Sequence, residues 1–234
     1  MKIKNFLLRE IKGFNIFEKI FFPLEIILII TISFILNDSK IALISAICGI
    51  SYTILAGKGK ISCYFIGILG TFCYCYISYK NGFWGNLALY GLYFFPMQII
   101  GIFKWLKKLK KDTGEIIKTK LSNKERIIYF SLISLLSLFF GYFLSQKGGN
   151  SPYIDSITAI FSIFAQILTV KRCIEQWYLW FFVNLLSLIM WIIAYANNSN
   201  CLATIIMWGT YLFLSIYFLK QWKKELISNK DNNI

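Results

Sequence analysis

Eight continuous apolar runs divide the chain, near residues 20–36, 41–57, 61–79, 84–103, 127–145, 154–170, 176–196 and 201–219. A helix rises about 1.5 Å per residue and the hydrocarbon core of a bilayer is about 30 Å thick, so a run of this length suffices to span it. Barrel strands would instead alternate apolar and polar residues over segments of about ten. The expectation is an all-α integral membrane protein with eight transmembrane helices. Composition agrees: 57% of residues are hydrophobic, 15% are charged and the mean hydropathy is +0.61, whereas a soluble domain carries about 25% charged residues.

The formal net charge is +14, from 25 Lys and Arg against 11 Asp and Glu. In a soluble chain that balance would suggest nucleic acid; here its placement gives it another meaning. With the amino terminus inside, every Lys and Arg except Lys40, Lys80 and Lys147 falls on one side of the membrane. The positive-inside rule then puts both termini in the cytoplasm and makes the charge a topology signal rather than a nucleic-acid footprint. The only sizeable polar connection, Lys104–Arg126, reads either as a solvated inside loop or as a surface for anionic headgroups. Met1–Lys19 is basic and amphipathic, and no small-x-small cleavage site follows the Phe21–Leu36 run. It is expected to lie as an interfacial helix with Phe6, Phe14 and Phe17 toward lipid, not to act as a signal peptide.

The absence of histidine removes Ser-His-Asp and Cys-His catalysis and histidine-ligated zinc. Cys73 and Cys75 point to different faces of the third span, and Gly57-Lys58-Gly59-Lys60 is a turn between spans, not a phosphate loop after a strand. No metal, no cofactor and no enzymatic activity are expected.

The two halves of the chain resemble one another. The fourth span ends in Lys104-Trp105-Leu106-Lys107-Lys108 and the eighth in Lys220-Gln221-Trp222-Lys223-Lys224, half a chain apart. At the same spacing Ser45 meets Ser162, Phe65 meets Phe182, Leu69 meets Leu186 and Asn81 meets Asn198. Corresponding spans lie four apart and so keep the same orientation, which makes this a parallel repeat, an architecture of transporters with a midplane site at the repeat interface.

Polar residues that persist inside spanning helices mark bundle interiors or pathways. In the seventh span Trp177, Trp180, Asn184, Ser187 and Trp191 share one helix face by their spacing. Indoles around one amide suit a flat heteroaromatic ligand, above all a cationic one; interfacial tryptophan and helix packing give the same pattern. The fourth span carries Gln98 with Tyr90, Phe94, Gly101 and Trp105 on its face, and Pro96 predicts a kink near Leu92. The sixth carries Asp155, Ser156, Ser162 and Gln166, with Asp155 placed to favour the helix dipole just after Pro152. Glu25 lies just inside the first span, as a proton-coupling group or a snorkelling carboxylate.

Lys171-x3-Glu175-x-Trp177-x2-Trp180-x3-Asn184 resembles a motif of the PnuC family of bacterial nicotinamide riboside transporters. The resemblance extends to Asp155-Ser156, to the Lys60–Gly67 segment and to Gln98-x2-Gly101-x3-Trp105. It implies a three-plus-one-plus-three helical core related to the SWEET fold, with an extra first helix. Residues 1–39 would hold the amphipathic segment and the extra helix, 40–106 the first bundle, 107–153 the basic loop and linker helix, 154–222 the second bundle, and 223–234 a cytoplasmic tail. It also implies a homotrimer in the bacterial cytoplasmic membrane that carries nicotinamide riboside by facilitated diffusion, with a cytoplasmic kinase trapping the product. Carried over residue by residue, Trp177, Trp180, Asn184 and Gln98 contact the substrate, and Phe94 and Gln166 join them. One position departs: Gly70 stands where family members have an asparagine. Thiamine, also a flat cation, or another vitamin or nucleoside is the alternative cargo, and a non-transporting membrane sensor the alternative class.

Overall fold

A computed structural model describes residues 10, 12–37, 39–80, 82, 84–110, 113–147, 151–197 and 202–231. Its helices are α1 (Ile16–Ile35), α2 (Lys40–Lys58), α3 (Ser62–Lys80), α4 (Trp84–Ala88), α5 (Phe95–Leu106), α6 (Asn123–Gln146), α7 (Pro152–Lys171), α8 (Gln176–Ala196) and α9 (Leu202–Asp231), with a π-helical stretch, Leu89–Phe94, joining α4 to α5. Each apolar run is matched by one of these elements or, for the fourth, by α4 through α5. No strand occurs among the described residues, only isolated bridges. Among the described residues six helices are long and apolar enough to cross a membrane, namely α2, α3, Asn86–Leu106, α6, α7 and α8. Large apolar side chains stand exposed along them, Phe130, Leu135 and Phe139 of α6 among them, as befits a surface whose solvent is lipid.

The chain divides into two compact units, Met1–Ile117 and Lys118–Ile234. In the first, α2 packs on α1 and α3, and α3 also packs on α4, the π stretch and α5. In the second, α8 packs on α7 and α9, and α6 packs on α7.

The amino-terminal reading changes in part. Residues 1–9 and 11, with Phe6, lie outside the described residues. An interfacial helix does not run through to Lys19, because Gly13 takes φ +94° and Asn15 opens α1. The Asn15 side chain accepts from the Glu18 backbone N–H at 2.8 Å while the Glu18 carboxylate accepts from that of Asn15 at 2.8 Å, a reciprocal capping box. Phe14, expected against lipid, packs edge-on against Phe22 and lies beneath the Lys58 ammonium at 5.4 Å.

The polar connection is likewise more than a solvated loop. In the first unit it folds back on itself through Ile117 N–H to the Lys108 carbonyl, and Ile116 donates to the Gly59 carbonyl in the α2–α3 turn, both at 2.9 Å. In the second, Thr119 N–H donates to the Arg172 carbonyl and Ile174 N–H to the Thr119 carbonyl, again at 2.9 Å. Ile116, Lys118 and Leu121 are buried. Turns between spanning helices leave orphan backbone groups at helix ends, and this strap satisfies part of them in each unit.

Those two turns also display the repeat. α2 ends on left-handed Gly59 and α7 on left-handed Arg172. Gly59 and Lys60 donate to the Ala56 and Leu55 carbonyls as Arg172 and Cys173 donate to those of Thr169 and Leu168. This hydrogen-bond pattern matches Tyr64 to Trp177, one helical turn away from the register of the Phe65–Phe182 and Leu69–Leu186 identities. Trp105 and Trp222 still correspond, and both are fully buried. Asn81 and Asn198 lie outside the described residues.

Candidate functional site

In the second unit the aromatic stripe of α8 runs from a buried end to an open one. Trp177 is 2% exposed and packs against Phe218 and Trp222 of α9, with ring centroids 5.4 and 5.8 Å away. Its indole Nε1 is buried with no hydrogen-bond partner. Trp180 is partly exposed, and Trp191 is exposed. Asn184 and Ser187 are buried, and the Asn184 amide donates to the Tyr211 carbonyl at 3.0 Å. Gln166 is buried on α7.

Lys171 and Glu175, the first two residues of the motif, face α6 and its entry. The Lys171 ammonium donates to the Tyr129 hydroxyl at 2.7 Å. The Glu175 carboxylate accepts from Leu121 N–H at 3.1 Å and pairs with the Arg126 guanidinium at 2.8 Å. These residues fasten α6 to the α7–α8 turn, so they hold α8 rather than present themselves to a ligand. Asp155 is exposed in the first turn of α7, where its charge complements the helix dipole.

In the first unit Gln98 is buried on α5. Its Nε2 donates to the Thr71 hydroxyl oxygen at 3.0 Å, and its Oε1 is buried with no partner. Phe94 closes the π stretch, its ring tilted 41° to that of Tyr90 with centroids 5.0 Å apart, and Tyr90 meets Tyr74 at 4.3 Å. The disturbance foreseen near Leu92 is this π stretch: Pro96 has no N–H to give the Leu92 carbonyl, and Phe95 N–H reaches back to the Tyr90 carbonyl. Lower down, Tyr64 and Trp105 are fully buried, edge to face at 4.8 Å. A Cβ on Gly101 would come within 2.3 Å of the Tyr64 ring, so only glycine admits it.

Gly70 does not face an empty polar position. A Cβ there would meet Cys48 of α2 at 2.8 Å, so no larger side chain fits. The buried polar group of this part of α3 is its neighbour Thr71, which sequence reasoning passed over. A hydroxyl one turn after Gly67 was the available signal. Tyr64 belongs to the Lys60–Gly67 resemblance, but its burial has no signal in the sequence, because an aromatic residue in an apolar run carries no mark of burial.

Outside the spanning segments, burial lowers the Lys60 ammonium pKa, against the raising influence of Glu115 and Glu10. Burial also raises the Cys173 thiol, against a hydrogen bond from Thr119. Both groups lie in the turns held by the strap. Among the described residues no group of His, Cys, Asp and Glu could hold a metal.

A family model described as nicotinamide mononucleotide transporter matches residues 39–224. The chain is 32% identical to the nicotinamide riboside transporter PnuC of Haemophilus influenzae over 216 residues, covering 92% of each protein. It is 31% identical to that of Neisseria mucosa over 197 residues, covering 82% of this chain and 75% of the relative. A crystal structure of the vitamin B3 transporter PnuC superposes with a TM-score of 0.80 at 28% identity, covering 94% of this chain and 96% of that one. The repeated turns, the Trp177–Asn184 face and these matches lead to one conclusion: the chain belongs to the PnuC family and is a multi-pass membrane transporter, not an enzyme.

Proposed function

We propose that this transporter carries nicotinamide riboside into the cell by facilitated diffusion across the bacterial cytoplasmic membrane, where a cytoplasmic kinase phosphorylates and traps it. The observation that carries the reading is near full-length similarity to a bacterial nicotinamide riboside transporter. The chemistry supports it: the riboside bears a pyridinium cation and a carboxamide, and α8 offers indoles beside an amide, able to stack on the ring at about 0.5–2 kcal/mol each. Trp177, Trp180, Asn184 and Gln166 in the second unit and Gln98 and Phe94 in the first are the proposed substrate residues. α1 and α9 complete eight spans in a three-plus-one-plus-three plan, with α1 the extra helix, α6 the linker and both termini cytoplasmic. Glu18, Lys19 and Glu25 set three charges in α1, which is otherwise strongly apolar. The working assembly is a trimer.

Uptake into proteoliposomes tests this with labelled nicotinamide riboside and labelled thiamine. The riboside should enter until inside and outside concentrations are equal, and accumulate further only when kinase and ATP are sealed inside. Accumulation against the gradient without them overturns passive transport; flux of thiamine alone reassigns the cargo; flux of neither favours a sensor. In the same assay Trp180→Ala and Asn184→Ala should weaken substrate affinity by about tenfold or more at normal expression. Unchanged affinity in both makes the stripe packing alone.

A further inference from the structure

Thr71 on α3 and Gln98 on α5 form a buried polar pair within the first unit, joined at 3.0 Å from Gln98 Nε2 to Thr71 Oγ1. The amide has room because Gly67, one turn before Thr71, has no side chain: a Cβ there would lie 3.2 Å from Gln98 Nε2 and 2.7 Å from the Tyr52 ring. Thr71 is β-branched and 4% exposed, so its χ1 is stiff and its hydroxyl oxygen is held in place. The other end of the amide is the exception. Gln98 is 6% exposed, yet its Oε1 is buried without a partner, which native interiors rarely tolerate without a functional reason.

We propose that Thr71 is a positioning residue: by accepting from Gln98 Nε2 it turns the Gln98 carbonyl oxygen toward the ligand, so the transporter selects cargo offering an N–H or O–H donor over cargo offering a carboxylate. The inference rests on the proposed function, in which Gln98 contacts the substrate. The carboxamide NH2 satisfies the orphan acceptor. A carboxylate in place of the carboxamide sets oxygen against oxygen and leaves the acceptor unpaired, the kind of mismatch that polar sites reject most strongly. Without the Thr71 hydroxyl neither end of the amide is tied to α3, and the carbonyl oxygen is no longer held in one direction.

The test uses the full-length protein in detergent, titrated with nicotinamide riboside and with its analogue carrying a carboxylate for the carboxamide. The wild type and Thr71→Ser should prefer the carboxamide by about tenfold or more, and Thr71→Val should reduce the preference to below about threefold. Equal affinities in the wild type, a ratio retained in Thr71→Val, or a ratio lost equally in Thr71→Ser each overturn the selection. Thr71→Ala serves as the second hydroxyl-free variant if the valine protein does not fold. A second readout needs no substrate: hydrogen exchange of the Gln98 side-chain NH2 in 15N-glutamine-labelled protein, assigned with Gln98→Leu. Exchange should be slow in the wild type and Thr71→Ser and fast in Thr71→Val. Equal exchange in all three overturns positioning, whereas slow exchange with no binding of either ligand rejects the substrate reading alone.

Discussion

Glu18 and Lys58 meet at 3.0 Å with side chains 0% and 9% exposed, joining α1 to the end of α2. A buried pair of this kind adds little over an apolar pair of the same volume, but removing one partner leaves a charge uncompensated. Glu18→Gln should therefore destabilise the detergent-solubilised protein by about 3–5 kcal/mol. Glu18→Gln with Lys58→Met should recover most of that loss, as read from thermal midpoints in a double-mutant cycle. Equal midpoints for wild type and Glu18→Gln would mean that the pair does not hold α1. Side-chain identity alone could not have found this contact. The Asn15–Glu18 capping spacing was legible, but the partner of Glu18 lies 40 residues away, and nothing local to Lys58 distinguishes it from the other lysines of the chain.

At the scale of elements, spanning helices are the legible part. Continuous apolar runs locate helices because backbone groups in lipid must be satisfied within the segment. What joins the helices is less legible. The strap at 107–122 reads as a basic loop because its lysines dominate the composition, while its work is done by the main-chain groups of Ile116 and Thr119, which carry no residue signature. Gly59 tests that work. It is left-handed at φ +69°, and a Cβ would press within 2.8 Å of Ile116 in the strap. Gly82 is left-handed at φ +70° with nothing near it. Gly82→Ala should cost about 1 kcal/mol for backbone strain alone, and Gly59→Ala about 1–3 kcal/mol more from overpacking. Equal losses in chemical unfolding would show that the strap yields freely at this point.

The whole molecule is a pair of related units, each holding a fully buried tryptophan, Trp105 or Trp222, against an aromatic residue in the opening turn of its middle helix. Its topology is proposed from charge asymmetry and can be checked directly. In a protein cleared of native cysteines, Lys147→Cys should react with an impermeant maleimide on intact cells, and Lys108→Cys only after permeabilisation. The reverse pattern would invert the orientation. The candidate site was legible only in part. Trp180, Asn184 and Gln98 could be singled out because polar and indole groups are conspicuous among apolar ones. Thr71, Tyr64 and the turn-fastening roles of Lys171 and Glu175 could not, because they depend on which helices touch.

By itself the sequence determined that this protein is helical and membrane-embedded, where along the chain its apolar helices lie, and the family to which it belongs. Each of these follows from run length or local motif, which a bilayer enforces segment by segment. Only the tertiary structure decided which polar groups are satisfied and which are left open: Glu18 closed on Lys58, Glu175 on Arg126, and Gln98 held by Thr71 with one oxygen to spare. Those pairings join residues far apart in the chain, and their energies depend on burial, which no single segment specifies.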